Sequence, residues 1–182
     1  PISIRTTEYD IDRRGIVTDS SFRFDNHLLQ IGFWHENNEH GLYRNFYAVT
    51  DADHEDDYFL QNPLLRGFEQ QFDSDVTTFY VRDVISMMDD QFQLDLGFKS
   101  LNSKSTSVSV LGTRAAGVIK AKDNFLPQIG ANFKINDSVE LFANYSENIA
   151  AFRAGVGGPF SAGQAAFDAT IANLEPESSS TF

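Results

Sequence analysis

The sequence contains no cysteine among its 182 residues. A disulfide framework and a cysteine-based metal site are therefore excluded. The chain also lacks any run of about 18 apolar residues, the length that a membrane-spanning helix requires. This second absence does not exclude a transmembrane β-barrel, because barrel strands appear in a sequence only as short segments of alternating hydrophobicity.

Basic residues are scarce: the chain has 14 lysines and arginines and 26 acidic residues, which gives a formal net charge of -12. Contact with nucleic-acid phosphates requires clustered lysine and arginine, so we predict that nucleic acid is not a partner. The 41% hydrophobic fraction and the 17 phenylalanines instead favour an ordered, strand-rich protein.

Motifs of catalysis and of cofactor binding are also missing. There is no G-x-S-x-G elbow, no P-loop and no dinucleotide-binding glycine pattern, and the Gly-rich segment 155–163 lies in a long connection. The acidic segment DADHEDD (51–57) offers oxygen ligands for a hard cation but lacks the glycine and glutamate spacing of an EF-hand, so a solvated loop is the preferred interpretation. We therefore predict no enzymatic activity, no cofactor and no metal site.

Alternating apolar and polar residues occur three times as a hairpin pattern, which is typical of half-buried antiparallel strands. The paired segments are RGIVTDSSFRF with HLLQIGFWHE (14–36), VTTFYVRDVISMM with FQLDLGFK (76–99), and FLPQIGANFKIN with SVELFANYS (125–146). The fold class that follows is all-β, an antiparallel meander of about six to seven strands.

The breaks between strands differ in length. Short breaks fall at 25–26, 89–91 and 136–138, and long ones are predicted at about 49–74, 102–123 and 150–174. For the two ends to alternate in this way, 27–48 must be one long strand. Short turns at one end and long loops at the other are typical of outer-membrane barrels. Because so few strands cannot close a barrel, we expect the domain 1–182 to be part of a larger one.

Four blocks of the chain resemble the TonB-dependent outer-membrane receptors. They are HLLQIGFWHE (27–36), TTFYVRDVISMMDDQFQLDLGFK (77–99), FLPQIGANFKINDSVELFANYSENIAAF (125–152) and NLEPESSSTF (173–182). Lys99 stands where that family usually has arginine, and Phe133 and Phe182 stand where it usually has tyrosine. The resemblance implies a segment of a barrel of about 22 strands, without the plug domain that contacts TonB.

The resemblance also implies a location and partners. The location would be the outer membrane of a Gram-negative bacterium, and the partners would be membrane lipid, a scarce small-molecule solute (a siderophore, a vitamin or a carbohydrate), and TonB through the missing plug. Residues expected to face lipid are Phe92, Leu94, Leu96 and Phe98. Residues expected to line the lumen are Gln128, Asn132, Lys134, Glu140 and Asn144.

Aromatic side chains near the long loops are the candidates for solute contact, because they bury a large area with little loss of entropy. They are Tyr43, Tyr47, Tyr58, Phe152 and Phe160. The alternative for each of them is packing within a loop or membership of an interfacial aromatic girdle. A soluble β-sandwich that binds a ligand or a carbohydrate would show the same alternation, but with short connections at both ends.

Overall fold

Seven strands pair antiparallel in sequence order to form a single open sheet in the computed structural model, which describes residues 3–49 and 62–182. The predicted all-β meander is therefore confirmed, and β2 is the uninterrupted strand expected at 27–48. The strands are β1 Ser3–Phe24, β2 His27–Ala48, β3 Leu65–Met87, β4 Phe92–Leu111, β5 Gly117–Asn136, β6 Val139–Ile149 and β7 Ser178–Thr181.

At one end of the sheet the strands are joined by the three tight connections that the sequence predicted, at 25–26, 88–91 and 137–138. Asp25, Asp89 and Asp90 have φ angles of 47°, 53° and 65° there. Aspartate tolerates this left-handed region better than most residues, since its short polar side chain can bond locally. The frequency of aspartate in these turns is therefore explained by the backbone conformation that the turns require.

At the other end the connections are 49–64, 112–116 and 150–177. The loop predicted at 102–123 is wrong, because β4 continues to Leu111 and β5 begins at Gly117. The loop predicted at 49–74 is also too long, since β3 begins at Leu65; within it, residues 50–61 lie outside the described part of the chain. The third loop contains a short α-helix, α1 (Gln164–Thr170), between the 3₁₀ turns Pro159–Ser161 and Ile171–Asn173.

Antiparallel register assigns the side chains of all strands to two faces of the sheet. Phe92 lies opposite Met87 and Phe133, and Leu96 lies opposite Ile129, so these side chains share one face, which we call the belt face. The other side, which carries Gln93, Asp95 and Lys99, is called the reverse face.

Apart from the His27–Asp83 pair, the belt face near the tight turns is mainly apolar, and the described residues leave it uncovered. Leu96 is 39% exposed, Ile129 46% and Leu141 57%. Aromatic rings mark the upper limit of this belt, where Phe98 contacts Phe79 and Phe125. Another ring pair, Phe92 with Phe133, lies near its lower limit. The result is an apolar band between two aromatic rows.

Beyond the upper aromatic row the pattern inverts. The belt face becomes polar, as in Asp73 and Asp75 of β3, whereas the apolar side chains move to the reverse face. There they form a core with the 150–177 connection. No helix in the described part of the chain is long and apolar enough to cross a membrane. The core residues are Leu42, Phe68, Phe72, Ala115, Ile119, Phe160 and Phe167.

On the reverse face at belt height, the Tyr80 ring lies flat over Gly32 and its hydroxyl donates a hydrogen bond to Asp19 on β1. A Cβ at position 32 would lie 2.0 Å from the Tyr80 ring. The glycine is therefore required for the tyrosine to cross β2 and reach β1.

We predict that Gly32→Ala lowers the free energy of unfolding of the complete protein by about 1–3 kcal/mol, because the Tyr80 ring must move. Urea unfolding in detergent measures the change. In a Tyr80→Ala background the same substitution should cost much less, since the clash is gone. An equal cost in both backgrounds would contradict the role assigned to Gly32.

Candidate functional site

The candidate site is the upper part of the reverse face together with the 150–177 connection, called here the cover segment. The cover segment returns to the sheet, where the amide of Ala150 donates to the carbonyl of Glu177 at 2.8 Å. Its Phe160 is completely buried, 6.0 Å from the Phe72 ring and 5.3 Å from the Phe167 ring. Burial of these rings supplies the main stabilisation of the docked segment.

Gln70 joins the cover segment to the sheet. Its side chain is 1% exposed, and its amide nitrogen lies 3.0 Å from Ser107 Oγ, 2.9 Å from the Ala115 carbonyl and 3.1 Å from the Phe160 carbonyl. One buried amide of β3 thus joins β4, the 112–116 turn and the cover segment. Losing it would leave the buried Phe160 carbonyl without a donor, which costs about 1–3 kcal/mol.

Small side chains on β4 provide the space for this contact. Ser103, Ser105 and Ser107 lie on the reverse face and are nearly inaccessible to solvent, and Ser74 Oγ donates to Ser105 Oγ at 2.8 Å. Larger residues in these positions would hold the cover segment away from the sheet. The serine alternation at 103–109 is the signal that this stretch is a strand, although the belt-face residues Lys104 and Thr106 are polar.

Two guanidinium groups flank Phe68 on the same surface. The Arg44 guanidinium carbon lies 4.9 Å from the ring centroid and that of Arg114 lies 4.7 Å away. Arg114 also donates to the carbonyl of Ser161, which ties the 112–116 turn to the cover segment. Cation–π contacts of this kind place positive charge against the buried cluster.

One row of β2 carries buried polar atoms that have no hydrogen-bond partner among the described residues: Asn38 Oδ1, His40 Nδ1 and Arg44 Nε. The three residues alternate along the reverse face. Buried polar atoms in folded proteins normally have partners, which can be ordered water molecules. The row places an amide, an imidazole and a guanidinium along one strand of the reverse face.

His40 lies above the apolar belt, because it is seven residues beyond Phe33, the last apolar residue of β2 on the belt face. Its ring stacks on Phe72 at 4.5 Å, and burial lowers its pKa below the ordinary value. The neutral imidazole is therefore the form that the docked arrangement favours.

The predicted solute-contact aromatics are divided between the two faces. Phe152 packs against the core cluster and Phe160 belongs to it, so these two are brought together under the cover segment. Tyr43 and Tyr47 lie on the belt face, where Tyr47 donates to Glu8 Oε1 at 2.8 Å. Tyr58 and the acidic segment 51–57 lie outside the described residues.

The predicted lumen and lipid residues fall on opposite faces, as their alternation required. Lys134 is opposite Glu140 and Gly130 is opposite Asn144 in the register. The first set, all on the reverse face, is Gln128, Asn132, Lys134, Glu140 and Asn144; the second, all on the belt face, is Phe92, Leu94, Leu96 and Phe98. Sequence reasoning missed Gln70, Arg44 and Arg114, because their partners are distant in the chain.

We predict that Gln70→Leu releases the cover segment, because the buried Phe160 carbonyl loses its donor, whereas the Ala115 carbonyl keeps the hydrogen bond from Ser107 Oγ. Tryptic cleavage after Arg153 in the folded protein should accelerate roughly 5- to 100-fold, since cleavage follows the population of the open form. Gln71→Leu is the matched control: Gln71 lies on the belt face and donates to Tyr43 at 3.2 Å. Equal cleavage of both variants would contradict the assignment.

A second prediction concerns pH. Because the docked state lowers the pKa of His40, the undocked state binds more protons just below the ordinary value of about 6.5, and docking weakens as pH falls through that value. The distribution of distances between spin labels at Val156 and Val108 should broaden as the pH falls through that value. His40→Phe, which keeps the ring stack, should remove this pH dependence; an unchanged profile would exclude His40 as its source.

A family model for the TonB dependent receptor-like β-barrel matches residues 2–182 of the chain. No curated protein and no solved structure matches it. The match covers nearly the whole sequence and agrees with the open antiparallel meander and its apolar belt. The chain belongs to the β-barrel family of the TonB-dependent receptors, a family of outer-membrane receptors and transporters.

Proposed function

We propose that this chain is a section of barrel wall in an outer-membrane receptor that takes up a scarce solute in a Gram-negative bacterium. Family membership supplies the receptor and transporter class. The solute class (siderophore, vitamin or carbohydrate), energisation by TonB through a plug domain, and the absence of enzymatic activity are the further parts of the proposal.

The uncovered apolar belt carries this proposal. On β5 it extends from Phe125 to Ile135, about 33 Å along the strand. At a barrel tilt of about 40° this is about 25 Å along the membrane normal, the height of the apolar band of outer-membrane barrels. In water such a continuous exposed surface would favour aggregation, whereas in a bilayer it meets hydrocarbon. Aromatic rows at both limits fit the two membrane interfaces.

The reverse face then lines the lumen. At belt height it carries a polar network in which Arg82 binds Asp95 through two nitrogens, at 2.9 Å and 2.5 Å, and contacts Gln30 at 3.2 Å. Lys99 Nζ lies 2.5 Å from Asn148 Oδ1. Such groups suit a water-filled or plugged interior and would be costly against lipid.

Solute contact is proposed for the β2 row of Asn38, His40 and Arg44 and the cover segment above it. The guanidinium groups of Arg44 and Arg114, both beside Phe68, favour a solute with anionic or strongly polar groups, since guanidinium binds carboxylates and phosphates well. Among the aromatic candidates, buried Phe160 would hold the cover segment in place, and Phe152 lies nearer to its surface.

Spin labels test the orientation in the complete protein, reconstituted in lipid. Labels at Leu94 and Leu96 should be accessible to oxygen dissolved in the bilayer and protected from a water-soluble nickel reagent. Labels at Gln93 and Gln128, on the reverse face at the same height, are the matched controls and should show the opposite preference. Water accessibility at Leu94 and Leu96 would overturn the proposal.

A further inference from the structure

The upper part of β5 is a free edge of the sheet among the described residues. β4 pairs with β5 as far as Gly117, whereas β6 pairs with β5 only up to Gln128, which lies opposite Ser146. No backbone hydrogen bond other than those to β4 joins 117–124 to the rest of the described chain. We call these residues, about 26 Å of strand, the open edge.

The cover segment is the reason that this edge is free. β6 ends at Ile149, which pairs with Ser178 of β7, so neither strand continues upward beside the open edge. The connection between them crosses the reverse face instead, where Phe160 and Phe167 pack in one cluster with Ile119 of the open edge. The strand is therefore held in place on one face, while its backbone has a neighbour on one side only.

Backbone groups on the free side of the open edge define what can bind there. In an antiparallel pair, alternate residues direct their N–H and C=O groups away from the partner strand. Such a row is a template for one more strand, because another extended backbone presents donors and acceptors at the same spacing. A sugar or a lipid headgroup does not offer this repeat.

A hollow of about 490 Å³ lies along the same edge. Residues of both faces of β5 and of the cover segment line it, among them Val118, Ile119, Lys120, Phe152, Ile171 and Leu174. Because both faces contribute, the hollow lies beside the strand rather than over one face of the sheet. An added strand would direct alternate side chains against the apolar wall of Phe152, Ile171 and Leu174.

Charge and patterning limit which strand fits. Lys120 and Lys122 alternate along the belt face of the open edge, so the same edge of a second copy would be repelled. A foreign strand with carboxylates at alternate positions would place them beside these ammonium groups. Its intervening side chains would be apolar, because they meet the wall formed by the cover segment.

We propose that the open edge binds an extended segment of a partner protein, which joins the sheet beside β5 as an additional strand and alternates acidic with apolar residues. The site begins beyond Phe125, at the upper limit of the apolar belt, so the partner approaches from the aqueous side of the membrane interface. Only this direction of approach rests on the proposed function. The strand site itself does not depend on which solute the receptor transports.

Disulfide cross-linking tests the proposal in the complete protein, with the introduced thiol as its only cysteine. The probes are peptides of alternating glutamate and valine, as long as the open edge, with cysteine at each glutamate position in turn. Lys120→Cys should cross-link to at least one probe, since directly opposite residues of paired strands have Cα atoms about 4.5–5.5 Å apart. No cross-link to any probe would overturn the proposal.

Lys104→Cys is the matched control. It removes the same charge, but Lys104 lies opposite Lys120 on β4, about 10 Å from an added strand and too far for a disulfide. Equal cross-linking of the two variants would identify simple attraction to lysines and overturn the proposal.

Backbone methylation of the probe tests the strand hydrogen bonds directly. In an extended peptide the glutamate amides point to one edge and the valine amides to the other. Methylation of two amides on the edge that faces β5 should weaken binding roughly 10- to 100-fold, whereas methylation on the other edge should leave binding unchanged. Equal effects of the two methylations would overturn the proposal.

Hydrogen exchange of the complete protein tests whether the edge is free. Alternate amides within 117–124 should exchange rapidly without the probe and become protected when it binds. The amides of 128–134, which lie between two strands, are the internal control and should be protected throughout. Slow exchange of the whole open edge before the probe is added would overturn the proposal, because the edge would already have a partner.

Discussion

Register between neighbouring strands is the constraint on which the rest of the structure depends. Side chains alternate strictly along a strand, so a shift of one residue would exchange the two faces. The register keeps Phe92, Met87 and Phe133 on one face over three strands. Because the two faces carry different side chains at each height of the sheet, the backbone hydrogen bonds decide the environment of every side chain.

The inversion of hydrophobicity along the strands divides each long strand into two parts, a lower length near the tight turns and an upper length near the long connections. Near the tight turns the apolar residues are uncovered, and near the long connections they lie under the cover segment on the other side. The lower length can therefore be stabilised by lipid, while the upper length contains its own small core. This division explains how strands such as β3, Leu65–Met87, can be about twice as long as a bilayer requires.

The sequence revealed the lower length well and the upper length poorly. Alternation and the Asp-rich turns predicted the hairpins, because large apolar residues mark one face there, and the alternation of short turns with long loops predicted the full extent of β2. The loop predicted at 102–123 hides two strand ends, since serines fill one face of 103–109 and the 117–123 stretch has only small or isolated apolar residues, so no row of large apolar side chains marks either strand. The pattern expected for a single buried face does not describe a strand whose apolar side changes.

The candidate site could be predicted only in part for a related reason. The loops were expected to carry the contacts, and Phe152 and Phe160 do meet at the reverse face. The central role of Gln70 depends on carbonyl groups of Ala115 and Phe160, which are distant in the chain and have no sequence signature. Arg44 and Arg114 likewise meet only because Phe68 lies between them in space.

The irregularity between Lys99 and Leu101 has a consequence for how such a wall can change in evolution. Across it, Lys99 pairs with Leu126 and Leu101 with Asp123, so β5 contains one more residue than β4 over this interval. An extra residue elsewhere would turn a whole strand inside out, whereas here the bulge absorbs it locally. Length variation among descendants of this chain should therefore accumulate at its bulges and loops, while the regular stretches keep a fixed residue count.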